Sequence, residues 1–65
     1  MANNVKKAHI RAIRKLFREI KNSLDDLEYW TKENETGVAE LVTKDIQNNY
    51  SEVKMHMQYL SSKFN

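Results

Sequence analysis

Cysteine and proline are absent from this 65-residue chain, and glycine occurs once, at Gly37. Without cysteine there is no disulfide framework and no thiolate zinc module. One glycine and no proline leave too little turn chemistry for a β-sandwich or barrel, a collagen-like repeat or a glycine-rich phosphate loop. No window approaches the ~18 uncharged apolar residues of a membrane-spanning helix. The opening residues, with Lys6-Lys7-Ala8-His9-Ile10 at their end, lack the apolar run of a signal peptide. A chain without cysteine fits a reducing compartment, so a cytoplasmic location with no membrane partner is expected. Charge of one sign is scarce too: 11 basic against 9 acidic residues leave a net +2, which selects no partner.

Catalytic signatures are also missing. There is no His-Glu-x-x-His, no Gly-x-Ser-x-Gly, no dinucleotide fingerprint and no Gly-Lys-Ser/Thr. The reading is of a non-enzyme, with no catalytic residue, no cofactor and no metal site. Lys, Asn, Glu and Ile are plentiful, a bias common in AT-rich bacterial, plasmid and phage genes.

What the chain does have is helical periodicity. Apolar residues recur at Ile10, Ile13, Phe17, Ile20, Leu24 and Leu27, and again at Ala39, Val42, Ile46, Tyr50, Val53, Met57, Leu60 and Phe64. Steps of three and four mark one face of a helix. Between the runs, Lys32-Glu33-Asn34-Glu35-Thr36-Gly37 is polar. Asn34 suits the left-handed residue at a helix C-terminus, and Thr36 suits the next N-cap. The sequence therefore predicts an all-α fold in one domain over residues 1–65: helix 3–33, turn 34–36, helix 37–63. So short a turn makes the helices an antiparallel hairpin. Ser23-Leu24-Asp25-Asp26 resembles an N-cap followed by first-turn acids, which would split the first helix near residue 22 and give three helices, a layout that includes helix-turn-helix domains. The apolar stripe crosses that point without losing phase, which favours the unbroken helix.

A hairpin of this size rarely supplies more than ~3–5 kcal/mol from its own core. On the first helix the apolar positions cover an arc of roughly 160°, wider than the ~100° that one packed face needs. Dimerisation into a four-helix bundle is the economical solution. Charge is distributed unevenly: residues 1–21 carry seven basic side chains and one acid, residues 22–52 two basic and eight acidic. A hairpin built this way is a bar with opposite charge at its two ends, which favours an antiparallel dimer.

The candidate site is a ridge. Lys7, Arg11, Arg14, Arg18 and Lys21 follow the helical rhythm on the face away from the apolar stripe, with Lys15 on their flank. They span ~21 Å at 1.5 Å per residue. Positive charge near a helix N-terminus opposes the macrodipole. Only Lys15–Glu19 and Lys21–Asp25 offer neutralising pairs one turn apart. Such a ridge suits phosphate contacts, and its lack of interleaved aromatics suggests duplex backbone over single-stranded bases. The acids Asp25, Asp26, Glu28, Glu33 and Glu35 read as a solvated face. His9 falls on the apolar arc as an interfacial histidine, and Met55 and Met57 point too far apart to share a metal with His56. Trp30 is expected to cap the core beside the turn. Leu41, Met55 and Tyr59 lie off the main stripe and form a possible protein-docking strip. Two functions follow from the sequence. One is a small homodimeric regulatory module docking duplex RNA, DNA or a phosphate-rich ligand on the ridge. The other is a phage- or plasmid-encoded inhibitor or adaptor that binds a host protein.

Overall fold

A computed structural model describes the backbone of residues 2–64 and the side chains of residues 4–64. Two helices, α1 (Ala2–Lys32) and α2 (Thr36–Phe64), run antiparallel as a hairpin. α1 passes through Asn22 and Ser23 unbroken, so the three-helix alternative does not arise. The result is a bar of 49 × 15 × 12 Å with a radius of gyration of 15.0 Å. A compact chain of this length would have a radius near 11 Å. Neither helix is long and apolar enough to cross a membrane.

The turn is a Schellman motif. The Glu35 N–H donates to the Trp30 carbonyl at 3.0 Å, and the Asn34 N–H donates to the Thr31 carbonyl at 3.2 Å. These bonds satisfy carbonyls that the end of α1 would otherwise leave open. Between them Asn34 takes φ 58°, the left-handed conformation expected of it. The N-cap differs from the expectation. The Glu35 carbonyl accepts the Ala39 N–H at 2.9 Å, so Glu35 is the N-cap and Thr36 is already the first helical residue.

Gly37 therefore has no conformational task. It has no positive φ, and an added Cβ would meet nothing within 4 Å. Gly37→Ala should raise stability by about 0.5–1 kcal/mol, because helix propensity improves and the unfolded chain loses freedom. Asn34→Ala should lower it by about 1 kcal/mol, since the left-handed conformation crowds a Cβ. Urea midpoints measured with an unchanged slope would check both signs.

The seam between the helices settles the phase of the apolar pattern. α1 turns His9, Ile13, Leu16, Ile20, Ser23, Leu27 and Trp30 toward α2; α2 answers with Ala39, Val42, Ile46, Asn49, Val53, His56 and Leu60. The steps alternate between three and four, as in coiled-coil packing. Only Leu16, Val53 and Leu60 are buried among the described residues. Six of the fourteen residues of the expected stripe are not in this seam. Ile10, Phe17 and Leu24 on α1 and Tyr50, Met57 and Phe64 on α2 stand 41–67% exposed along the flank. The apolar stripe of the sequence merges two helix positions, and the hairpin buries one of them.

Candidate anion-binding ridge

The seam fixes where every other residue of α1 points. Lys7, Arg14 and Lys21 repeat at seven-residue intervals, as do Arg11 and Arg18. They form two neighbouring rows on the side of α1 that faces away from α2. Lys15 lies beyond the second row. All six side chains are exposed. Among the described residues the ion pairs are Glu28–Lys32 at 3.5 Å and Glu40–Lys44 at 3.9 Å, and neither touches the ridge. The neutralising pairs Lys15–Glu19 and Lys21–Asp25 do not form.

The arrangement is locally unfavourable in two ways. Lys7 with Arg11, Arg11 with Lys15, and Arg14 with Arg18 are like charges one turn apart, each pair costing about 0.2–0.5 kcal/mol. The first turn of α1 holds no acid to offset the macrodipole. A rigid helix thus holds six cations outward, with free donors for oxyanions. Guanidinium forks at Arg11, Arg14 and Arg18 can each take a phosphate through two parallel N–H donors. Phe17 borders this surface at 46% exposure, one turn from both Arg14 and Lys21. Sequence reasoning placed it in the core, because its apolar character carries no information about which flank it occupies.

The strip Leu41, Met55 and Tyr59 is not gathered into one patch. Leu41 and Met55 are 62% and 61% exposed on the outer side of α2, ~21 Å apart along the helix. Tyr59 turns to the seam, its ring centroid 4.1 Å from that of His9. His9 in turn meets His56 across the seam, Nδ1 to Nδ1 at 2.7 Å, where one ring donates its N–H and the other accepts. Three lysines outside the ridge lie over aromatic rings: Lys6 over Phe64 at 4.8 Å, Lys63 over Tyr59 at 5.3 Å and Lys54 over Tyr50 at 5.5 Å. Their charge is occupied within the hairpin, in contrast to the six of the ridge. Trp30 is half-buried beside the turn with Tyr29 edge-on at 4.9 Å. Asp25, Asp26, Glu28, Glu33 and Glu35 are all exposed.

No protein-family model, no curated protein and no solved structure matches this chain.

Proposed function

We propose that the chain is a small, non-enzymatic regulatory module that acts as a homodimer and docks an anionic partner on the α1 ridge. Duplex RNA or DNA is the preferred partner, ahead of a phosphate-rich small ligand, and the setting is the cytoplasm. One observation carries this reading: six exposed cations on one rigid face have no carboxylate partner, while the lysines elsewhere lie over rings or pair with acids. A face ~21 Å long runs beside about six base pairs of a duplex at 3.4 Å each, enough for four or five phosphate contacts.

Binding to duplex RNA or DNA should weaken with salt at a log–log slope of about −3 to −5. Arg11→Ala, Arg14→Ala and Arg18→Ala should each make the slope shallower by about one unit without lowering the melting temperature, because these side chains are exposed and their like-charge neighbours are relieved. Lys44→Ala and Lys63→Ala serve as controls and should change little. A triple arginine variant that binds as tightly as the parent at ~150 mM salt would end this reading. If nucleic-acid binding is weak and indifferent to the arginines, while Met55→Ala or Leu41→Ala abolishes capture of a protein partner, the chain is instead an inhibitor or adaptor.

A further inference from the structure

Four polar residues, His9, Ser23, Asn49 and His56, occupy seam positions, while ten large apolar side chains stand exposed among the described residues, six of them in two rows. Ile10, Phe17 and Leu24 form one row on α1; Tyr50, Met57 and Phe64 form another on α2, both at seven-residue spacing. Each row lies one residue beyond a seam position on its own helix. In an antiparallel pair, equivalent flanks fall on the same side of the plane that contains both axes, because the two-fold relating such helices is perpendicular to that plane. The His9–His56 contact sets the levels. Counting on from it, up the numbering on α1 and down on α2, brings Ile10 level with Met55 and Phe17 level with Asn48, so Met57 and Tyr50 stand two residues, ~3 Å, from the levels of Ile10 and Phe17. The two rows are therefore one continuous apolar face along the bar.

We infer that this face is covered by a second copy of the chain, turned end over end, so that α1 packs along α1 and α2 along α2. The inference rests on the homodimeric part of the proposed function and not on what the ridge binds.

Area is the first argument. A large side chain left half-exposed offers ~100 Å², so the six offer about 600 Å² per copy. That is the upper end of what monomers leave exposed. Two such faces together bury ~1,200 Å², the lower bound of a specific interface. The accessible surface of the hairpin, 5358 Å², also exceeds the roughly 4,300 Å² of a compact monomer of 7.7 kDa.

Self-complementarity is the second, since a two-fold interface presents the same patch twice. Phe17 is midway along Ala2–Lys32, and Tyr50 is midway along Thr36–Phe64. Ile10 and Leu24 lie at equal distances on either side of Phe17. Turning the second copy end over end lays Phe17 on Phe17, Tyr50 on Tyr50 and Ile10 on Leu24. On α1 aromatic meets aromatic and aliphatic meets aliphatic; on α2, Met57 and Phe64 fall on Thr43 and Thr36, seven and fourteen residues before Tyr50.

Summed by the ends of the bar, charge favours this orientation, although it lays the basic α1 of one copy along α1 of the other. Residues 1–17 and 50–65, the open half of the bar, hold seven basic residues and one acid, for +6. Residues 18–49, the turn half, hold four basic and eight acidic, for −4. End-over-end docking sets +6 against −4 at both ends. Docking with both turns at one end would set +6 against +6. The ridge borders the Ile10–Phe17–Leu24 row, so in the selected dimer two ridges run side by side along the α1 edge.

Because the chain has no cysteine, single-cysteine variants report proximity without ambiguity. In the absence of nucleic acid, Phe17→Cys should cross-link to itself with a short bis-maleimide, and Tyr50→Cys should do the same. Ile10→Cys alone should link poorly, and linking should return when it is mixed with Leu24→Cys. Circular dichroism confirms that each variant is helical, and sedimentation equilibrium of the parent should give twice 7.7 kDa. A helical parent that sediments as a monomer at micromolar concentration overturns the inference. So does Phe17→Cys that links to Tyr50→Cys but not to itself, the signature of turns at the same end. Loss of nucleic-acid binding in the arginine variants with cross-linking intact would remove the ridge function and leave this interface standing.

Discussion

Val53→Asp is expected to abolish the folded hairpin. Val53 is 1% exposed, the most enclosed side chain among the described residues. It lies in the seam one turn from His56 and two turns from Leu60, with no Lys or Arg among the seam positions named above to meet a carboxylate. An unpaired buried charge costs several kcal/mol after relaxation. A core of this size supplies about 3–5 kcal/mol in total, so the substitution removes most or all of the margin. Far-ultraviolet circular dichroism should show the helical signal lost at room temperature. Ser51→Asp adds the same charge two residues away, at an exposed position, and should shift stability by no more than ~0.5 kcal/mol. Leu16→Ala, which empties the buried site on α1, should cost about 2–5 kcal/mol. A Val53→Asp variant as helical and as heat-stable as Ser51→Asp would mean that the seam lies elsewhere.

The hairpin was legible because its signals are local. A polar hexapeptide separates two runs of helical period, and Asn34 is one of the few residues that tolerates the left-handed conformation the turn uses. Continuity through Ser23 was legible from the phase of the apolar pattern. The identity of the seam was not. Ile13, Ile20 and Leu27 share their hydrophobic character with Ile10, Phe17 and Leu24, and periodicity cannot tell which set faces the partner helix within the chain. Ser23, Asn49 and His56 occupy seam positions that composition assigns to solvent. This mismatch has a physical reading. A hairpin free to choose its own best core would turn Phe17 and Tyr50 inward; one that must also present a face to another copy divides its apolar residues between two surfaces. The exposure of the ridge residues was legible because charge is a strong determinant of direction. Leu41, Met55 and Tyr59 did not assemble, because shared distance from the main stripe does not place residues on the same flank or at the same level. Tyr59 in particular is drawn to His9 across the seam.

The double variant His9→Leu/His56→Leu should be more stable than the parent by about 2 kcal/mol, although each single variant changes stability little. The two Nδ1 atoms, 2.7 Å apart and half-buried, satisfy one another with a single shared proton. Replacing one ring by Leu gains about 1 kcal/mol of apolar burial but leaves the remaining Nδ1 facing a hydrocarbon, which costs a comparable amount. Replacing both removes the polar demand and adds two leucines to a seam that has few. For a chain this short, 2 kcal/mol corresponds to a rise in melting temperature of about 8–16 °C. A double-mutant cycle should therefore return a coupling of about 2 kcal/mol. Additive single and double effects would show that water, and not the partner ring, satisfies these nitrogens. The gain in stability should have a cost in uniqueness. A polar pair meeting across a seam fixes helix register, because sliding either helix by one turn strands both imidazoles. Without that constraint the leucine seam can slip, and the alignment of the two apolar rows that makes the exposed face continuous slips with it. The double variant should accordingly melt higher yet show broadened amide resonances along α2, and it should cross-link through Phe17→Cys less efficiently than the parent seam does.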